Sequence, residues 1–88
     1  MSDILIVDDD HASREVIQEA LAREGYKVAA ARSGVEAREN IKAGIYDIVV
    51  TDLVMPEVDG MAILDLAKTR DASTEVIILT GYGSVETA

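Results

Sequence analysis

Cysteine is missing altogether, which excludes disulfides, thiolate metal sites and thiol catalysis and fits a reducing cytoplasm. Basic residues are scarce: eight Lys and Arg stand against seventeen Asp and Glu, a formal net charge of -9. A surface this acidic repels phosphate backbones, so direct nucleic-acid binding is not expected. No apolar run approaches membrane-spanning length. The N-terminal Met-Ser-Asp leads straight into a short strand-like run, without the basic region and long apolar stretch of a secretion signal. The expected location is the cytoplasm. Tyr26, Tyr46 and Tyr82 are too few and too scattered to make a stacking surface. Proline occurs once and nothing is low in complexity, so with 49% apolar residues the composition is that of a folded globule. Eighty-eight residues are enough for one domain with one modest core.

The order of elements follows from periodicity. Ile4 to Val7 is a continuous apolar run, as a strand buried on both faces requires. From His11 to Glu24 the period becomes helical, with Ala12, Val16, Ile17, Ala20 and Leu21 on one stripe and Gly25 as the stop. Tyr26 to Ala31 is a second strand, weakened by three consecutive alanines. Ser33-Gly34-Val35-Glu36 has the spacing of a capping box and opens a helix ending near Gly44. Ile48 to Thr51 repeats the buried-strand pattern and runs into Asp52. Asp59 caps a third helix, to about Arg70, and Val76 to Leu79 is a last apolar run ending in Thr80. Alternation of this kind predicts an α/β domain: a parallel sheet with right-handed crossovers and helices on both faces.

Within this pattern the stretch "ILIVDDDHAS" sets Asp8, Asp9 and Asp10 side by side at a strand end. Three adjacent carboxylates repel and lose hydration unless something positive sits among them. Open parallel sheets bind ligands outside the carboxyl ends of their strands, where Asp8, Asp9, Asp52 and Thr80 converge. Carboxylates and a hydroxyl suit Mg²⁺, which keeps some of its waters and leaves room for phosphate oxygens. A metal beside an aspartate points to phosphoryl transfer with the carboxylate as nucleophile. Asp52, alone at its strand end, is the best acceptor, Thr80 a hydrogen-bond donor to the phosphoryl group, and Gly81 leaves space beside it.

Together, "ILIVDDD", "DIVVTDLVMPEVDG" and "VIILTGYGS" resemble, in order and separation, the receiver domain of two-component response regulators. The resemblance implies a flavodoxin-like sheet of order 2-1-3-4. It implies Mg²⁺ on Asp8, Asp9, Asp52 and the Val54 backbone carbonyl, and phosphate transferred to Asp52 from a sensor histidine kinase. Thr80 would couple phosphorylation to a loop rearrangement. The ending "TGYGSVETA" is most similar to receivers attached to AAA+ enhancer-binding transcription activators. The resemblance spans residues 1–88 but not the whole family fold: Ser84 would cap a fourth helix that is cut at Ala88, and the fifth strand and helix are absent. With them go the lysine and the switch aromatic of the fifth strand. Two expectations follow, slowed phosphotransfer and self-association through the uncovered strand Val76–Leu79.

Plainer readings stand beside these. Asp10 is expected only to cap a helix, His11 has no assigned role, Met55 and Met61 are packing residues, and "GYGS" lacks the lysine of a phosphate-cradling loop. A non-phosphorylated assembly module is the main alternative function. An aspartate-nucleophile hydrolase, which expects two acids two residues apart after the first strand, is the third and least favoured class: Asp8 and Asp10 have that separation, but Asp9 adjoins Asp8 and His11 follows Asp10.

Overall fold

The computed structural model describes residues 3–79. Strand β1 (Asp3–Val7) lies between β2 (Lys27–Ala31) and β3 (Ile48–Asp52), and β4 (Glu75–Leu79) lies beyond β3. All pairings are parallel, in the expected order β2-β1-β3-β4. Val7 is level with Ala31 on one side and Thr51 on the other, so β1 and β3 end side by side.

Three helices make the crossovers: α1 (His11–Arg23), α2 (Gly34–Ala43) and α3 (Gly60–Arg70). Strand side chains alternate between faces. Leu5, Val7 and Val49 join Ala37, Ile41, Ile63 and Ala67 in the core under α2 and α3, which pack on each other. Ile4 and Ile6 point the opposite way and are equally buried, on the face where α1 lies against β1 and β2 without touching α2 or α3. Each fully buried Leu or Ile stabilises the fold by about 1.5–3 kcal/mol relative to an exposed one. The alanines of β2 are accommodated because α1 and α2 both touch this strand, and short side chains admit close approach.

Sequence-encoded caps set the helix ends. Asp10 accepts from the Ser13 amide at 3.0 Å and starts α1, and Gly25, at φ 97°, turns the chain after it. Ser33 Oγ accepts from the Glu36 amide at 3.1 Å, but Glu36 reaches back to the Arg32 amide, one residue earlier than a capping box places it. Asp59 Oδ1 accepts from the Ala62 amide at 3.0 Å and starts α3.

Two packing expectations are corrected. The inward row of α1 is Arg14, Ile17, Gln18 and Leu21, while Ala12 and Ala20 are exposed and Val16 is 68% exposed. Only the edge of the apolar stripe turns inward, and it shares that row with the buried Arg14, whose head donates to the Asp8 carbonyl at the strand end. Met55 packs in the core, whereas Met61 faces outward from the first turn of α3.

Candidate functional site at the strand ends

The chain leaves β1 at Val7 and turns at once, so Asp8 and Asp9 lie on the bend before α1, and Asp52 is the last residue of β3. Carboxylate oxygens of Asp8, Asp9 and Asp52 come within 4.8 Å of one another. Asp8 is the innermost, 7% exposed, Asp52 is half-buried and Asp9 is exposed. Asp8 is fixed at three points. Its amide donates to the Ala31 carbonyl at 3.2 Å, its Oδ1 accepts from the Asp10 amide at 2.9 Å, and its carbonyl accepts from Arg14 Nη1 at 3.0 Å.

Burial pushes the Asp8 carboxyl above the usual range; the Asp10 amide opposes this, and the charges of Asp52, Asp9 and Asp10 add to it. Two like charges about 4 Å apart repel by about 1 kcal/mol in bulk water and about 4 kcal/mol at an effective dielectric of about 20. Among the described residues, no Lys, Arg or His nitrogen lies within 4.0 Å of these three carboxylates, the ion pairs being elsewhere. Oxygen-only donors, crowded and without a protein cation, fit a hard divalent ion.

The loop after Asp52 is tightly tied. The Leu53 amide donates to the Leu79 carbonyl, and the Gly60 amide returns to the Leu53 carbonyl at 2.9 Å. Thr51 Oγ1 donates to the Asp52 carbonyl at 2.9 Å. Met55 and Val58 anchor the loop in the core, Val54 stands exposed two residues beyond Asp52, and Glu57 is left-handed at φ 67°. Gly34, at the start of α2, lies against Val58 too closely for any side chain. Asp10 serves as a cap, as expected. Thr80 and Gly81 lie outside the described residues. Sequence reasoning missed Arg14 and Gly34, and held Gly60 only as the last residue of the motif "DIVVTDLVMPEVDG". Arg14 carried one usable signal, its spacing of three and seven residues from Ile17 and Leu21.

A flavodoxin-like α/β domain with an acidic cluster at the ends of its two central strands is the class that fold and site define. Residues 4–88 match the family model of the response regulator receiver domain, and the chain belongs to that family. It is a receiver domain of two-component signalling. It is 43% identical over 86 residues to the transcriptional regulatory protein ZraR of Escherichia coli (strain K12), covering 98% of this chain and 20% of that protein. The chain thus spans about a fifth of the length of such curated relatives. The response regulator TrrA from Thermotoga maritima, solved in complex with Mg²⁺-BeF, superposes with a TM-score of 0.83 at 32% identity, over 96% of this chain and 76% of that one. TrrA in complex with the histidine kinase ThkA gives 0.83 at 35% identity, over 93% of this chain and 71% of that one.

Proposed function

We propose that this domain accepts a phosphoryl group on Asp52 from a sensor histidine kinase, with Mg²⁺ held by Asp8, Asp9, Asp52 and the Val54 carbonyl. The observation that carries the reading is the convergence of three carboxylates that, among the described residues, have no Lys, Arg or His nitrogen within 4.0 Å. When bound, Mg²⁺ would offset the negative charge of the incoming phosphoryl oxygens. An Asp52 carboxylate oxygen attacks phosphorus, a P–O bond forms as the P–N bond to the kinase histidine breaks, and the released imidazole keeps the electron pair. The tied loop holds the Asp52 backbone in place for in-line attack. Thr80 is assigned a hydrogen bond to the transferred group, coupling it to the following loop. The TrrA complexes with Mg²⁺-BeF and with ThkA support the metal and the partner, and the ZraR relatives support a transcriptional output.

Incubation with Mg²⁺ and a small acyl-phosphate donor, read by intact mass, tests the assignment. A single phosphate increment that disappears in Asp52→Asn supports it. No increment in either this chain or a longer version removes it.

The sheet edge favours a second reading, self-association. Among the described residues β4 pairs only with β3, and Ile77 on it is half-exposed. The 88-residue chain then forms dimers or larger species through Val76–Leu79. One monomeric species in light scattering at high concentration rules this out.

A further inference from the structure

Arg14 is a buried cation without a carboxylate partner. It is 9% exposed, yet among the described residues no Asp or Glu oxygen lies within 4.0 Å of its guanidinium. Removing such a group from water is costly unless its donors are used. Nη1 donates to the Asp8 carbonyl at 3.0 Å, and Nη2 meets His11 Nδ1 at 2.9 Å. An arginine only donates, so Nδ1 is the acceptor and the His11 ring proton sits on Nε2, which faces Glu15 Oε2 at 3.2 Å. Glu15 and His11 thereby steady one arm of the fork while the other grips the strand end.

The gripped oxygen belongs to the planar peptide joining Asp8 to Asp9. Holding that plane restrains ψ of Asp8 and φ of Asp9, and through them the directions in which the two side chains leave the backbone. Direct neutralisation is a different role, and the contacts do not support it: Arg14 bonds the backbone of Asp8, and its charge bears on Asp10 and Glu36, whereas the charges bearing on Asp8 are those of Asp52, Asp9 and Asp10. Partners that orient metal ligands through hydrogen bonds act in this manner.

We propose that Arg14 is a positioning residue, whose buried guanidinium, steadied by His11, pins the Asp8–Asp9 peptide so that both carboxylates are aimed at a shared divalent cation. The inference rests on the metal reading above and assigns it a residue outside the ligand set. Pre-organisation of this kind shows as affinity, because an unpinned peptide must be ordered when the ion arrives.

The test is Mg²⁺ titration of the 88-residue chain followed by amide NMR shifts, with thermal melts in metal-free buffer alongside. Arg14→Met keeps the apolar stem and loses every donor, and it is expected to bind Mg²⁺ about 10- to 100-fold more weakly. Arg14→Lys keeps one donor without the fixed fork and is expected to fall between the two. Ile17→Ala loosens the same helix away from the strand end and is expected to keep wild-type affinity. Unchanged affinity in Arg14→Met, or an equal loss in Ile17→Ala, overturns the proposal. Should Arg14→Met not fold, Arg14→Lys decides, wild-type affinity there overturning it. A wild-type chain that does not bind Mg²⁺ at all sinks the metal reading itself, a separate result.

Discussion

Gly60 lies so close beneath Asp52 that a methyl group on it would sit 2.6 Å from the Asp52 carbonyl oxygen and 2.8 Å from the Leu53 Cα. Both obstacles are backbone, so a side chain at residue 60 displaces the loop that carries the acceptor. Gly60→Ala is expected to cost about 1–3 kcal/mol, as overpacking does, and to lower Mg²⁺-dependent phosphorylation. Gly44→Ala is the control: nothing lies within 4 Å of its added methyl, and stability is expected to hold or to rise by up to about 1 kcal/mol. Urea melts and phosphate mass increments measure both.

Asp8 gives a pH and metal signature. Its folded pKa is raised above 3.8, so the native state holds the proton more tightly than the unfolded chain. That contribution to stability is fully present below the unfolded value and is lost as pH rises through the higher folded value. At pH 7 without metal the ionised Asp8 is thus a penalty, and Asp8→Asn, whose Oδ1 still accepts from the Asp10 amide, raises the melting temperature. Adding Mg²⁺ reverses the order. At a hundred times its dissociation constant an ion bound only to the native state stabilises by about 2.7 kcal/mol, a gain the variant forgoes in large part.

The caps act in the opposite pH direction. Hydrogen bonds from Ser13 hold the Asp10 carboxyl below 3.8, so its contribution is present above 3.8 and lost as pH falls through the lower folded value. Asp10→Ser keeps a capping oxygen and is expected to flatten the loss of stability in acid. Ser33→Ala and Asp59→Ala remove the α2 and α3 caps outright, at about 1 kcal/mol each in chemical denaturation.

Glu57 supplies a fourth check. A left-handed backbone costs a side-chain-bearing residue about 1–2 kcal/mol, partly offset in glycine by its chain entropy. Glu57→Gly is expected to stabilise by up to about 1 kcal/mol, and Glu57→Val to destabilise, both read from the denaturation midpoint.

The strands, the caps and the acidic convergence were legible in the chain for a physical reason, whereas the order 2-1-3-4 came from the family resemblance. A strand buried on both faces must be an unbroken apolar run, and Ile4–Val7 and Ile48–Val50 announce themselves that way. Caps are local, set within three residues, so Asp10, Ser33 and Asp59 were readable too. The facing of α1 was not. Its apolar stripe is wide enough to offer two inward rows, and the choice between them depended on a bond from Arg14 to a carbonyl outside the helix. Nor do Gly34 and Gly60 show their crowding in sequence, since it arises from the path of a distant loop.

The central position of β1 carries a kinetic consequence. Ile4 must wait for both Val28 and Ile48 to be synthesised, so the β1–β3 ladder closes a long stretch of chain. The same zipping step drives Asp52 against Asp8 and Asp9, so electrostatic friction falls on the event that completes the middle of the sheet. Refolding should therefore quicken when salt, magnesium or Asp52→Asn relieves that crowding, even where the final stability changes little.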